Sequence, residues 1–212
     1  MYQTSQSGQA SGSPPHPAPV VQQATTSRSP SMCKTLYIVR HCKAAGQQPD
    51  AALTADGHLQ AEQLAEQLAA VPIDRIISSP FVRATQSIAP LADRLGLPIA
   101  TDKRLAERVL VAGDLSEWLA ALKSGFDDLD RSFPGGESSR AAMERALQVV
   151  SEVMAHPVNV TVVVTHGNLM TLLLKHFDDR IGFAEWQQLT NPEIYRIAWA
   201  SGRAEITRVW DA

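Results

Sequence analysis

Two unbroken apolar runs dominate the hydrophobic pattern of this chain. The first, Leu36-Tyr37-Ile38-Val39, runs directly into Arg40 and His41. The second, Val160-Thr161-Val162-Val163-Val164-Thr165, runs into His166-Gly167-Asn168. Short continuous apolar runs of this kind read as strands covered on both faces, as in a parallel sheet. In open parallel sheets, ligands bind beyond the carboxyl ends of the strands. Both histidines therefore fall where such a fold concentrates its chemistry, and two buried strands ending in histidine suggest one site built from both.

The rest of the chain alternates helical and extended patterns. Leu64 and Leu68 recur at helical spacing after Thr54, a suitable N-cap, which predicts a helix over about 55–70. Residues 74–79 read as a second strand. Ser78-Ser79-Pro80 then opens a helix over about 81–95, with Arg83 on its first turn, Pro90 expected to bend it and Gly96 to close it. Residues 98–101 predict a brief third strand and 102–112 an irregular segment holding Glu107. Helices are expected at about 114–124 and 138–155, with the turn-rich Pro134-Gly135-Gly136-Glu137 between them. After the 160–165 strand, Asn168 is expected to cap a helix reaching about 177. Residues 193–199 and 203–210 read as two strands joined by a tight turn at Ser201-Gly202. Strands separated by helices predict an α/β fold, a three-layer α/β/α sandwich around a mainly parallel sheet.

Residues 1–31 break this pattern. They hold seven Ser, five Pro, five Gln and one charged residue, Arg28. Such a stretch buries too little apolar surface to offset chain entropy and reads as a disordered tail on a domain spanning 32–212. Its deletion is expected to leave the melting temperature nearly unchanged; a large drop on thermal unfolding would mean that the tail packs on the domain.

Composition narrows the class. With 212 residues, 44% apolar and 19% charged, the chain can bury one ordinary core. A net charge of −3 gives no basic surface for nucleic acid or an anionic membrane. No apolar run approaches the roughly 18 residues of a membrane span, and the N-terminus lacks the basic and apolar regions of a secretory signal. Cys33 and Cys42 would lie roughly 30 Å apart along one strand over Lys34 to His41, too far for a disulfide, so two free thiols and a reducing, cytoplasmic setting are expected.

Arg40, His41, Arg83, Glu107 and His166 each follow a predicted strand and would share one rim. Two arginines beside two histidines form an anion site, because guanidinium groups bind phosphate oxygens in pairs and stay charged. Backbone N–H groups at the helix near Asn168 add donors, and Gly167 allows close approach. An unprotonated imidazole can attack phosphorus and carry the phosphoryl group. Glu107 is placed to protonate a leaving oxygen, with Glu117 and Glu137 as rivals. No carboxylate cluster suggests Mg²⁺, so neither metal nor cofactor is expected.

These segments resemble the histidine phosphatase superfamily, the phosphoglycerate mutase-like family. The resemblance rests on Val39-Arg40-His41, Ser78-Ser79-Pro80-Phe81-Val82-Arg83-Ala84-Thr85-Gln86, Leu105-Ala106-Glu107 and Thr165-His166-Gly167-Asn168, in that order. Leu53-Thr54, Gly57, Gln60-Ala61 and Phe133-Pro134-Gly135-Gly136-Glu137-Ser138 add to it, and it extends from about Lys34 to the C-terminus. It implies that His41 is the phosphohistidine nucleophile, that Arg40, Arg83 and His166 form the phosphate pocket, and that Glu107 donates the proton. Gly167, Asn168 and Lys43 complete the expected substrate-binding set.

The chain departs from the family pattern at Arg40-His41-Cys42-Lys43, where the family usually carries Arg-His-Gly-Glu. Cys42 replaces a glycine and Lys43 an acid, and Gln47 stands where an asparagine is usual. The Gly-x-Trp-Glu-Gly segment that often follows the glutamate is not matched between Val109 and Trp118. Cys42 reads as a small loop residue rather than a redox sensor, and Trp118, Trp186, Trp199 and Trp210 as packing. The resemblance implies a metal-independent phosphatase of small phosphorylated substrates. One rival is a phosphoglycerate mutase, against which the 59 positions from Glu107 to His166 look short. The other is a catalytically weak phosphate-binding regulatory module, for which a retained proton donor would have no use. The edge strand at 203–210 could pair across a homodimer.

Overall fold

The structure is a computed structural model that describes residues 1–2, 34–110, 118–200 and 203–210. The chain divides into two units, Met1–Ser31 and Met32–Ala212, and the fold set out below is that of the second. The expected disordered tail, Cys33, Glu117 and the Ser201-Gly202 turn lie outside the described residues.

Six strands form one sheet: β1 (Thr35–Arg40), β2 (Arg75–Ser78), β3 (Ile99–Thr101), β4 (Val160–Thr165), β5 (Glu193–Ala200) and β6 (Arg203–Arg208). Their order is β3-β2-β4-β1-β5-β6. The first four run parallel, whereas β5 returns antiparallel to β1 and β6 pairs antiparallel with β5. The two apolar runs lie side by side at the centre, with Arg40 opposite Thr165. The backbone N–H of His41 donates to the Thr165 carbonyl at 3.1 Å, which carries the pairing one residue beyond the strands.

The period-two alternation of a strand divides the core cleanly. Leu36, Ile38, Ile77, Val163 and Ile197 face one layer, made by α3 (Trp118–Asp127), α4 (Ser139–Ala155) and α5 (Gly167–Phe177). Val39, Ile76, Val162, Val164 and Ile194 face the other, made by α1 (Ala55–Leu68) and α2 (Val82–Leu95). Val162, Val163 and Val164 are fully buried, each contributing about 1.5–3 kcal/mol from burial alone. This is the expected three-layer sandwich. Among the described residues no helix is long and apolar enough to cross a membrane.

Most predicted elements appear within a few residues of their expected bounds. The N-cap at Thr54 forms, its side chain accepting from Gly57 N–H at 3.0 Å. Gly96 closes α2 with φ of 65°, in the left-handed region that glycine enters freely. Helix α2 continues across Pro90 to Leu95. Two readings need correction. Asn168 is not the cap of α5: His166 holds that position and Asn168 sits in the first turn. A further helix, α6 (Phe183–Gln187), follows where no element was predicted.

Candidate active site

His41 and His166 leave adjacent parallel strands at the same level, and their rings meet edge to face with centroids 5.1 Å apart. One site is thus built from both apolar runs, as the sequence suggested. His41 is oriented from three sides. Its Nδ1 lies 2.7 Å from the Cys42 carbonyl, which can only accept, so Nδ1 carries the hydrogen and Nε2 keeps the lone pair. Arg83 Nε donates to that Nε2 at 3.2 Å. The Asn191 side-chain amide donates to the His41 carbonyl at 2.7 Å.

The cations are fixed by backbone oxygens. Arg83 Nη1 donates to the carbonyls of Gln47 (3.1 Å) and Gln48 (2.8 Å), and its guanidinium lies 4.9 Å from the Phe81 ring centre. Arg40 Nη1 donates to the carbonyls of Leu189 and Thr190, both at 3.1 Å. Arg40 Nε is buried without a protein partner, as is His166 Nδ1. The opposite ring nitrogen, His166 Nε2, contacts Ser79 Oγ at 2.8 Å. Gly167 has a definite steric reason: a Cβ there would stand 3.2 Å from Arg40 Cζ, so glycine lets the guanidinium lie over the start of α5.

Glu107 joins the site in a way the sequence did not anticipate. Its Oε2 accepts from Asn168 N–H and its Oε1 from Leu169 N–H, each at 3.0 Å, and Oε1 also accepts from Arg108 N–H at 2.9 Å. The donors at the start of α5, expected to be free for a ligand, are therefore held by Glu107. A carboxylate at a helix N-terminus is also favoured by the helix dipole. Of the rival acids, Glu137 is locked in a paired contact with Arg145 at 2.9 and 2.8 Å.

A cavity of about 800 Å³ opens onto Arg40, His41, Glu107, Gly167 and Asn168. Arg83 and His166 are almost fully buried and adjoin it through His41, which both contact. Asn168 is buried with neither amide atom partnered. Lys43 reaches the wall but its Nζ pairs with Asp56 at 2.7 Å, with both side chains mostly exposed; such a pair is worth little. Sequence reasoning missed Ser79, Arg108 and Asn191. Ser79 lay inside a quoted motif, but nothing local marked Arg108 or Asn191.

Cys42 is fully buried, its N–H donating to Ser87 Oγ at 2.8 Å, and burial pushes its thiol up to about 11. A protonated, enclosed thiol makes a poor redox sensor.

Burial pulls the His41 pKa down to about 4; the contact with the Cys42 carbonyl opposes this, and Arg83 and Arg40 reinforce it. Burial, then His41 and both arginines, hold His166 well below the ordinary histidine value. Both rings are thus neutral near pH 7. Unfolded, they take up protons near pH 6.5, so the unfolded chain binds more protons between about pH 6.5 and 4 and stability falls as pH drops through that window. His41 alone accounts for about 3 kcal/mol of it. Thermal unfolding should therefore give a Tm that is steady above about pH 6.5 and declines toward pH 4, less steeply in His41→Gln. Equal slopes in the two proteins would refute that origin.

Two guanidiniums, two neutral imidazoles and a carboxylate thus gather at the ends of the parallel strands beside a cavity, a set of groups suited to an anionic ligand. The model of the histidine phosphatase superfamily (branch 1) matches residues 36–212, and the chain belongs to that superfamily. It is 28% identical over 181 residues to a probable phosphoglycerate mutase GpmB of Enterobacter sp. strain 638, covering 76% of this chain and 83% of that protein. Among solved structures, the complex of a mycobacterial glucosyl-3-phosphoglycerate phosphatase with inorganic phosphate superposes with a TM-score of 0.68 at 26% identity, covering 84% of this chain and 97% of that one. A putative alpha-ribazole-5'-P phosphatase from Escherichia coli shares the fold, with a TM-score of 0.66, 20% identity and coverage of 83% and 95%.

Proposed function

We propose that the chain is a phosphatase that hydrolyses small phosphomonoesters through a phosphohistidine at His41, without a metal. The observation that carries this reading is the state of His41: a neutral ring with Nδ1–H tied to a carbonyl and the Nε2 lone pair directed at Arg83. An incoming phosphate oxygen takes over the Arg83 N–H and frees that lone pair. Arg40 Nε, buried without a protein partner, and Arg83 then hold the equatorial oxygens, where charge stabilisation is most of what phosphoryl transfer needs. If the Ser79 hydroxyl donates to His166 Nε2, the proton of that ring stays on Nδ1 and becomes a further donor to the phosphoryl group.

Nε2 of His41 attacks phosphorus as the bond to the ester oxygen breaks. Glu107, in its protonated form, gives its proton to the leaving oxygen. Water then attacks the phosphohistidine, Glu107 takes the proton back, the P–N bond breaks and inorganic phosphate leaves. A cytoplasmic setting goes with this reading, supported by the free buried thiol of Cys42.

The test is hydrolysis of p-nitrophenyl phosphate in EDTA with rapid quenching. Turnover that survives the chelator, with an initial burst and acid-labile phosphate on the protein, is the expected result. A silent enzyme that exchanges phosphate between two phosphoglycerates would instead establish the mutase reading suggested by the relatives' name.

A further inference from the structure

The reacting end of the cavity occupies only part of its wall. The remainder includes an apolar stretch made by Leu110, three residues after Glu107, and by Trp118 and Leu122 on α3 and Trp186 on α6. The two tryptophans meet edge to face, with centroids 5.9 Å apart. Trp186 is braced from behind by Phe183, stacked at 5.5 Å and 19°. Trp118 is 50% exposed, so packing does not account for it. A volume of about 800 Å³ is that of a pocket for a whole organic ligand, far more than one phosphoryl group fills.

Arg108, the buried cation among the described residues of this wall outside the phosphate cluster, is already engaged. Arg108 Nε donates to the Glu137 carbonyl at 3.0 Å and Nη1 to Ser139 Oγ at 2.7 Å. Lys43 is paired with Asp56. Among the described residues, a second anionic group on the substrate would meet no uncommitted buried cation on the wall outside the phosphate cluster, only the exposed Lys43, for which it would compete with Asp56. A flat apolar group would meet a tryptophan pair.

Resting on the phosphatase reading, we infer that the substrate is a phosphomonoester of an alcohol that carries an aromatic or similarly flat apolar group and no second anion, with Trp118 and Trp186 as the residues that select it. Specificity then resides in α3 and α6, remote in sequence from His41. An aromatic contact of this kind adds to the apolar area that the ligand buries, and together they set the expected preference at about tenfold.

Phosphonates, which cannot be hydrolysed, separate binding from reaction. Calorimetry with 2-phenylethylphosphonate, ethylphosphonate and 2-carboxyethylphosphonate should give about tenfold tighter binding for the phenyl compound than for the ethyl one, with no gain from the carboxylate. Trp118→Ala, at a half-exposed site that should tolerate truncation, should erase most of the phenyl-to-ethyl ratio. The kcat/KM ratio for 2-phenylethyl phosphate over ethyl phosphate, two esters of similar alcohols, should fall in step. Equal affinity for phenyl and ethyl compounds, tightest binding of the carboxylate, an unchanged ratio in Trp118→Ala, or no binding of any phosphonate would each overturn the assignment. The expected binding order without hydrolysis of any ester would uphold the pocket's preference and overturn the phosphatase reading.

Discussion

His41→Ala is expected to lower kcat for p-nitrophenyl phosphate by about three orders of magnitude or more. The substitution removes the atom that would form the P–N bond, and a covalent route without its nucleophile has no partial form. Water could still attack a phosphate held by Arg40 and Arg83, which sets a floor above zero. The loss should lie in kcat, because those two arginines keep their own carbonyl partners at Gln47, Gln48, Leu189 and Thr190. Phosphate should still bind, and the acid-labile label on the protein should vanish. Since His41 is buried, the variant's Tm is measured alongside. A folded variant that retains more than about a tenth of the activity would remove His41 from the mechanism.

Glu107→Gln carries the second largest expected effect, and it should depend on the substrate. General acid catalysis is worth about 10²–10⁴ where the leaving group is a poor one. An alkyl phosphate should therefore lose about a hundredfold or more in kcat, whereas p-nitrophenyl phosphate, whose leaving group needs little protonation, should lose only a few-fold. The contrast matters because Glu107 also has a structural task. Its two oxygens accept from three backbone N–H groups and hold the first turn of α5, which carries Gly167 and Asn168. Glutamine keeps one acceptor oxygen and loses the other, so some of the loss will come from a loosened turn. That part falls on both substrates alike. Equal losses would show Glu107 to be a positioning group only.

The central part of the site was legible because its signal is local. A strand buried on both faces must be apolar at nearly every position, so Leu36–Val39 and Val160–Thr165 announced themselves and the polar residues after them marked the rim. Arg83 was found because it sits on the opening turn of the helix that follows β2. What escaped was whatever depends on pairing across the fold. Asn191 reaches the His41 carbonyl because β5 returns antiparallel to β1 and brings residues 189–191 beside Arg40. Glu193, fully buried, accepts from the N–H and hydroxyl of Thr190 and from Arg208, and so ties down the same segment. No periodicity in the 190s reveals this. Helix α6 was missed because five residues are too few to show a helical stripe. The residue type of Asn168 suggests a cap, whereas the actual N-terminal acceptor, Glu107, lies some sixty residues earlier and reaches α5 only in the folded chain.

The position of β1 also bears on biosynthesis. Of the described strands of the sheet it is the first to leave the ribosome, yet its neighbours on either side are β4 and β5, the fourth and fifth of them to be made. During synthesis both its hydrogen-bonding edges stay without native partners while β2, β3 and four helices are added, and such apolar edges invite association with other chains. Nor can Arg40 acquire its anchors before Leu189 and Thr190 emerge. A nascent chain halted between α2 and β5 would hold His41 and Arg83 but not the carbonyls that anchor Arg40, so the candidate site is completed only with the last strands of the sheet.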